Sequence, residues 1–321
     1  MRTVDVGDLV ARARDGSPRA LARLITLVEN ASPQLREVMA ALNPLTGAAQ
    51  IIGLTGAPGV GKSTSTSALV TAFRKHGRRV GVLAVDPSSP FTGGALLGDR
   101  VRMQDHATDP EVFIRSMASR GHLGGLSWAT PQAIRVMEAA GCEVVLVETV
   151  GVGQAEVEIA SLADSTIVLV APGMGDSIQA AKAGILEIAD VFVVNKADRD
   201  GAQQTVRDLR NMIALADGGP DRWKPPIVST VASKGEGVDE LMERLDEHHA
   251  WLSGSGGLRE RRLARARDEV EAIALTGLRE RMGDLHGDRR LDALAARVLD
   301  GACDPYSAAD ELVAAVTGTA G

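Results

Sequence analysis

The chain is poor in aromatic residues and in cysteine. Aromatic residues make up only 2% of its 321 residues, so its core must be built mainly from Ala, Val, Leu and Ile. The two cysteines, Cys142 and Cys303, lie far apart in the sequence, which excludes a disulfide scaffold and a Cys-x-x-Cys zinc site. The six histidines are scattered and form no ligand cluster. We therefore expect a cytoplasmic protein without a histidine metal site.

The chain also lacks a basic excess and a long apolar run. Its formal net charge is −7, whereas nucleic-acid-binding proteins usually present a basic face. Its apolar runs are too short to span a bilayer, and the N-terminus lacks the apolar core of a secretory signal. We therefore expect no nucleic-acid partner and no membrane partner. With 45% hydrophobic and 24% charged residues, the composition is typical of a globular protein.

A glycine-rich segment that begins at residue 56 is the most informative motif of the chain. It fits the pattern G-x-x-x-x-G-K-[ST], and it stands between an apolar run and a helix-compatible stretch, as a phosphate-binding P-loop does. Backbone N–H groups of such a loop point at the β-phosphate, its lysine reaches the β- and γ-phosphates, and its serine hydroxyl can ligate Mg²⁺. We therefore predict nucleotide binding by Gly56, Ala57, Pro58, Gly59, Val60, Gly61, Lys62, Ser63 and Thr64.

A second motif indicates which base is bound. Asn195-Lys196-Ala197-Asp198 closes a predicted strand and matches the N-K-x-D pattern. The carboxylate of Asp198 can accept hydrogen bonds from N1 and the exocyclic amine of guanine, and adenine offers no such pair of donors. The segment Val231-Ala232-Ser233 ends the last predicted strand, where a backbone N–H could contact the guanine oxygen. These residues predict GTP and GDP as ligands.

Acidic residues at the ends of predicted strands are the candidates for holding Mg²⁺ together with Ser63. Glu148 follows a buried strand, in the place of a Walker-B acidic residue, and its side chain could hold the metal through a water. Asp86 ends another strand, and Asp99 lies in a glycine-rich segment. For both aspartates a plain loop carboxylate or helix cap is the alternative interpretation.

The residues after Glu148 bear on hydrolysis. The N–H of Gly151 is suited to contact the γ-phosphate, so loss of that phosphate could release this segment. Val152 stands where a Ras-type G protein carries its water-positioning glutamine, which predicts slow intrinsic hydrolysis. Lys62 would neutralise phosphate charge during catalysis. Asp86 would either orient the attacking water or hold the metal, and the sequence leaves both roles open.

The hydrophobic pattern divides the chain into three parts. Residues 1–46 are predicted to be helical, residues 47–253 alternate between strands and helices, and residues 254–321 are again helical. The middle part predicts an α/β fold with a doubly wound, mostly parallel sheet. Residues 253–257, Ser-Gly-Ser-Gly-Gly, are predicted to be a hinge. Beyond it, an apolar stripe on a charged helix predicts either packing on the middle part or a dimerisation arm. The predicted strands are Ile51–Thr55, Val80–Val85, Val112–Arg115, Val144–Val147, Thr166–Val170, Val191–Val194 and Ile227–Ser229.

Three further segments make a family resemblance specific. Residues 86–103, 115–121 and 148–154, taken with the two nucleotide motifs, resemble the G-protein chaperones of adenosylcobalamin-dependent methylmalonyl-CoA mutase, the MeaB or ArgK-type group. The resemblance covers roughly the whole chain. It implies a SIMIBI-class P-loop GTPase whose C-terminal helical arm forms a homodimer.

The same resemblance implies a function and a metal site. The protein would bind methylmalonyl-CoA mutase, or a related acyl-CoA mutase, and would use GTP binding and hydrolysis to gate adenosylcobalamin loading and protect the mutase. By position, Ser63, Asp86, Asp99 and Glu148 would form the Mg²⁺ environment. Lys182 lies in a segment that matches an additional switch of the family, and it would complete the catalytic site when the partner docks. A solvated helix lysine is the alternative interpretation of Lys182.

Two other functions are compatible with the P-loop. A metallochaperone GTPase of the hydrogenase- or urease-maturation type would be expected to carry a Cys-x-x-Cys pair or a histidine-rich stretch, and neither is present. A kinase, as in older descriptions of the family, would need a second substrate pocket, and the N-K-x-D motif argues against ATP as its donor.

Overall fold

A computed structural model describes residues 4–86, 103–106, 108–118, 129–149, 154–173, 187–215, 222–282 and 289–317. The chain divides into two compact units, Met1–Arg262 and Leu263–Gly321. The first unit contains the sheet, and the part of the second unit that is described contains helices alone. The domain limits at residues 46 and 253 stay predictions.

A seven-stranded parallel sheet is the centre of the first unit, with the strand order β3-β2-β4-β1-β5-β6-β7. The prediction of a doubly wound, mostly parallel α/β sheet is therefore confirmed, and each predicted strand lies within an observed one. Long β-branched runs such as that of β4 form strands here because both faces of a parallel sheet are covered by helices. The strands are β1 Gln50–Gly56, β2 Val80–Asp86, β3 Val112–Ala118, β4 Val144–Thr149, β5 Ser165–Val170, β6 Val191–Asn195 and β7 Ile227–Thr230.

Alternate residues of the strands fill separate apolar cores on the two faces of the sheet. Ile51 of β1 belongs to one apolar cluster, and its neighbour Ile52 belongs to the cluster on the opposite face. The helices that follow strands cover both faces, as right-handed crossovers between parallel strands require. They are α4 Lys62–Lys75, α5 Thr130–Ala139, α6 Gln154–Leu162, α7 Ala202–Leu215 and α8 Val238–Ser255.

The N-terminal helices cover part of one face of the sheet. They are α1 Val6–Arg14, α2 Pro18–Glu29 and α3 Leu35–Leu42. Leu24 and Ile25 of α2 are completely buried and belong to the same core as residues of β1, β2 and β4. The predicted helical character of this segment is confirmed, and the helices have a packing role that needs no partner protein.

Residues 253–257, predicted to be a hinge, are helical apart from Gly256. Helix α8 continues through Ser255, and Gly256 alone interrupts it, in a left-handed conformation with φ 81°. Helix α9, Gly257–Met282, begins at the next residue. Leu252, in the last turns of α8, is 2% exposed, and this burial favours a regular helix there. A local count of glycine and serine does not detect that burial.

The second unit continues with α10, Arg289–Leu299, and α11, Pro305–Thr317. These two helices bury Leu294 against Ala308 and Leu312. Within the described ranges, none of the helices combines the length and the apolar character that a bilayer-spanning segment needs.

Candidate nucleotide-binding site

The P-loop lies where the order of the strands places a ligand crevice. Strand β1 is flanked by β4 and β5, and the chain turns from its carboxyl end directly into α4. In an open α/β sheet, ligands bind outside the carboxyl ends of the strands at such a switch point. The same edge of the sheet also receives the ends of β2, β4, β6 and β7, which carry the other predicted site residues.

Two glycines of the loop cannot be replaced without a clash. A Cβ atom on Gly56, where φ is 145°, would lie 2.3 Å from the carbonyl oxygen of Leu169 in β5. A Cβ atom on Gly61, where φ is 100°, would lie 2.4 Å from Nδ2 of Asn195. The pattern of glycines therefore reflects both left-handed backbone and close approach of neighbouring strands. Because Gly61 has no side chain, the loop can lie directly against Asn195 of the predicted guanine-binding motif.

The ammonium group of Lys62 is held above the loop. Lys62 is the first residue of α4 and is 8% exposed. Its Nζ donates hydrogen bonds to the carbonyl oxygens of Gly56, at 2.6 Å, and Ala57, at 3.1 Å. The lysine charge and the positive end of the helix dipole thus lie at one place, which favours an anion there.

Ser63 and Glu148 meet at the next position of the site. The Ser63 hydroxyl donates to Oε1 of Glu148 at 2.7 Å, and the carboxylate is only 4% exposed. The contact forms because Glu148 in β4 is in register with Leu54 of β1, just before the P-loop. A hydroxyl and a carboxylate oxygen are hard ligands of the kind that Mg²⁺ accepts, together with waters and phosphate oxygens. The two residues therefore fit a Mg²⁺ site in their chemistry.

Of the remaining residues predicted to bind metal or phosphate, the structure describes only the backbone of Asp86. Asp86 ends β2, which pairs with β4, so its backbone lies at the same edge of the sheet as Glu148. The side chain of Asp86 lies outside the described part of the structure. Asp99, Gly151 and Lys182 lie outside the described residues altogether.

Asn195 and Lys196 brace the P-loop against the neighbouring strands. Nδ2 of Asn195 donates to the carbonyl oxygen of Val60 at 2.8 Å, and Nζ of Lys196 donates to that of Gly59 at 2.6 Å. Lys196 adopts a left-handed conformation, with φ 58°, directly after the end of β6. The N-K-x-D segment and the phosphate loop therefore form one connected unit.

The segment after β7 completes this unit. Oδ1 of Asn195 accepts hydrogen bonds from the Thr230 hydroxyl, at 3.2 Å, and from the Ala232 amide, at 3.1 Å. The amide of Ala232 thus braces Asn195, and Val231 is tied to Glu236 in a single antiparallel bridge. Residues 231–233, predicted to approach guanine, lie next to the N-K-x-D segment.

Asp198, the predicted guanine-binding carboxylate, lies at the exposed side of the unit. Its side chain is 44% exposed and forms an ion pair with Lys234 at 3.2 Å between Oδ2 and Nζ. Lys234 was not predicted as part of the site, although it directly follows Val231-Ala232-Ser233 and its position was the available signal. The carboxylate is thus open to solvent, as binding of a base requires.

Thr66 is a second residue near the site that was not predicted from the sequence. Its side chain is fully buried, and its hydroxyl lies 2.9 Å from Oε2 of Glu148. No local signal singles it out, because residues 63–67 are all serine or threonine.

The fold and this site define a class of protein. A parallel sheet with a P-loop at its switch point, braced by an N-K-x-D segment, is the architecture of a P-loop nucleotide-binding protein that accepts guanine. The sequence profile of the family described as methylmalonyl-CoA mutase-associated GTPase MeaB matches residues 21–284. The chain belongs to the MeaB family of GTPases and is a GTP-binding protein.

Similar proteins extend over the whole chain. A putative GTPase of Pyrococcus horikoshii is 49% identical over 315 residues, which span 98% of this chain and 99% of that protein. The mouse mitochondrial protein named methylmalonic aciduria type A homolog is 33% identical over 321 residues, 94% of this chain and 77% of its own length. The crystal structure of a protein named LAO/AO transport system kinase shares 27% identity and a TM-score of 0.71, over 98% of this chain and all of that one. The family resemblance inferred from the motifs is therefore confirmed.

Proposed function

We propose that the protein hydrolyses GTP to GDP and phosphate slowly by itself and faster when it is bound to methylmalonyl-CoA mutase. In this role it gates the loading of adenosylcobalamin and protects or reactivates the mutase. The observation that carries the nucleotide part of the proposal is the bracing of the P-loop by Asn195 and Lys196, which joins phosphate and guanine binding in one unit. The family to which the chain belongs carries the mutase part.

The chemistry assigned to the site follows from its charges. Lys62 binds the β- and γ-phosphates and offsets the negative charge that develops as the bond to the γ-phosphate breaks. Ser63 and Glu148, with Asp86 and Asp99, would hold Mg²⁺, which would supply positive charge to offset that of the phosphates. Asp86 either orients the attacking water or serves the metal. The Gly151 amide contacts the γ-phosphate.

Guanine selectivity is assigned to Asp198. Its carboxylate accepts the two hydrogen bonds that guanine donates from N1 and the exocyclic amine, and adenine would leave it without these donors. Backbone groups of residues 231–233 line the other side of the base. Lys234 pairs with the carboxylate of Asp198 at the surface and lies beside the base site.

The partner assignments rest on the family and on exposed apolar side chains. The family description names methylmalonyl-CoA mutase, and the mouse relative's name refers to methylmalonic aciduria. Lys182 completes the site when the mutase docks. Leu263, Val270 and Ile273 of α9 are between 48% and 67% exposed, which supports homodimerisation through the C-terminal arm. We place the protein in the cytoplasm.

The test is GTP hydrolysis with and without methylmalonyl-CoA mutase from the same cell, with ATP in parallel. We expect a slow rate with GTP that rises when the mutase is added, and no comparable rate with ATP. The variant Lys182→Ala should keep the slow rate and lose the stimulation. A GTP rate that is indifferent to the mutase would contradict the proposed client. A preference for ATP would instead favour a kinase, the activity after which the protein in the similar crystal structure is named.

A further inference from the structure

Two hydroxyl groups of α4 hold the two oxygens of Glu148. Ser63 donates to Oε1 at 2.7 Å, and Thr66 lies 2.9 Å from Oε2. The two residues are three apart on the helix, so their side chains share a face. A carboxylate that is contacted at both oxygens cannot rotate about its last bond without losing one contact. Its plane is therefore set by the helix that also forms the phosphate site.

The direction of these hydrogen bonds follows from the number of protons. An ionised carboxylate only accepts, and each hydroxyl has one proton to donate. Thr66 has a second acceptor within reach, the carbonyl oxygen of Lys62 at 3.0 Å, but a charged acceptor is the stronger one. Thr66 therefore donates to Glu148. Ser63 can donate its proton to Glu148 and still offer an oxygen lone pair to a cation.

The Thr66 hydroxyl is buried and therefore needs a hydrogen-bond partner within the protein. Thr66 is 0% exposed, and desolvating a hydroxyl costs free energy unless it is hydrogen-bonded. Its neighbour Ser65 is also buried, at 3% exposed, yet its hydroxyl contacts no polar partner within the described ranges. Of these two buried hydroxyls of the same helix, only that of Thr66 contacts the carboxylate. This difference supplies a matched control.

We propose that Thr66 is a positioning residue for Mg²⁺: by fixing the second oxygen of Glu148, it orients the carboxylate for the metal site that Glu148 and Ser63 form. The inference rests on the proposed function, because that function places Mg²⁺ at Ser63 and Glu148. Residues that orient a metal ligand in this way typically change metal affinity by about 10- to 100-fold when they are removed. In this role Thr66 acts through Glu148 and not directly on the nucleotide or the metal.

The test measures how much Mg²⁺ is needed to retain GDP. Release of a fluorescent N-methylanthraniloyl-GDP is followed over a series of free Mg²⁺ concentrations, and the concentration that gives half of the maximal slowing is read for each variant. For Thr66→Val, which keeps the side-chain volume, we expect that concentration to rise on the order of 10-fold. GDP release in excess EDTA should stay within about twofold of wild type, since no metal is bound there. Thr66→Ser should restore the wild-type requirement, and Ser65→Ala should not change it.

Each other outcome is decisive. A wild-type Mg²⁺ requirement in Thr66→Val would overturn the inference and leave the proposed nucleotide site intact. If the valine variant does not fold, Thr66→Ala removes the same hydroxyl without adding a methyl group, and the same reading applies to it. A rise in Ser65→Ala equal to that in Thr66→Val would also overturn it, because any buried hydroxyl would then suffice. If wild type and Glu148→Gln release GDP without regard to Mg²⁺, the proposed metal site and the inference fail together.

Discussion

The two edges of the same sheet use charged residues in opposite ways. At the carboxyl edge, Lys62 and Lys196 donate to backbone carbonyl oxygens of the P-loop, and Glu148 accepts from hydroxyl groups. At the amino edge, the carboxylates of Asp164 and Asp190 each accept two hydrogen bonds from one arginine. The contacts just named at the carboxyl edge join charged groups to neutral ones that a ligand can replace, whereas each bidentate arginine at the amino edge neutralises the charge of its carboxylate. The first arrangement suits a ligand site and the second suits a structural joint.

The amino-edge joint connects segments that are distant in sequence. Arg262, at the start of α9, binds Asp164 at 2.7 Å and also the carbonyl oxygens of Gly47 and Ala49 before β1. Arg261 pairs with Asp190 at 2.8 Å, and the Asp190 carboxylate also accepts from the backbone amide of Thr166. Ionic contacts thus hold the first residues of α9 in place within the first unit.

Breaking the amino-edge joint should have the largest effect. Arg262→Met breaks the bidentate ion pair with the fully buried carboxylate of Asp164, and breaking a buried pair typically costs about 3–5 kcal/mol of unfolding free energy. Urea unfolding at neutral pH measures this loss. Arg259→Met, which removes an exposed arginine of the same helix, is the control and should change stability little. A loss below about 1 kcal/mol in Arg262→Met would show that the buried pair contributes no more than a surface pair.

At the carboxyl edge, the largest effect is expected on chemistry and not on stability. Lys62→Ala removes the charge that we assign to phosphate binding, and loss of one such donor typically lowers the rate by about 100-fold or more. Single-turnover GTP hydrolysis measures the rate. Lys75→Ala, at the other end of α4, should hydrolyse GTP like wild type. Lys62→Ala with a wild-type rate would contradict the assignment of the phosphate site.

The amino edge should also be the more acid-sensitive of the two. Burial lowers the pKa of His248 from 6.5 to about 4, although the nearby Asp190 carboxylate acts in the opposite direction. Below pH 6.5 the unfolded chain binds a proton that the folded state resists, so the unfolding free energy falls as the pH drops from 6.5 toward 4. The loss is at most about 3 kcal/mol. His248→Gln should unfold with a flatter pH profile.

Two tryptophans can report this titration locally. The ring centroids of Trp223 and Trp251 lie 4.8 Å and 6.0 Å from that of His248. Their fluorescence should therefore change over the same pH range as the stability in wild type and not in His248→Gln. The control is His76→Gln, which removes an exposed histidine. A wild-type pH profile in His248→Gln would contradict the assignment.

The smallest effect is expected for the ion pair that lies at the surface of the carboxyl edge. Lys234 and Asp198 are 55% and 44% exposed, and such pairs contribute roughly 0–1 kcal/mol. Lys234→Ala should lower the unfolding free energy within this range, and the difference from wild type should shrink as salt is added. Urea unfolding at two salt concentrations measures it. A loss comparable to that of Arg262→Met would contradict the distinction between the two edges.

The position of the main motifs at the carboxyl edge was predictable from sequence because each motif is a short continuous segment. Gly56 to Ser63 and Asn195 to Asp198 each specify a backbone shape and a set of ligands within eight residues. Contacts between motifs were less predictable. The Thr66–Glu148 contact joins residues 82 apart, and no local pattern distinguishes Thr66 from its neighbour Ser65, whose hydroxyl has no such contact.

The amino edge was not predicted at all. Asp164 and Arg262 are 98 residues apart, and their pairing follows from the sheet order and from the path of α9. The helical conformation of residues 253–255 was not predicted for the same reason, since the burial of Leu252 depends on tertiary packing while the glycine and serine content is local. The alternating strands were predictable because burial on both faces requires continuous apolar runs.

Base preference is the property that decides whether the carboxyl edge binds guanine nucleotides. Equilibrium binding of GDP, ADP and xanthosine diphosphate is measured for wild type and for Asp198→Asn. We expect wild type to prefer GDP over ADP by at least about 100-fold, and Asp198→Asn to lose GDP affinity and gain affinity for xanthosine diphosphate, whose extra oxygen matches the amide donor. Equal binding of GDP and ADP by wild type, or an unchanged preference in Asp198→Asn, would contradict the assignment of this edge as a guanine-nucleotide site.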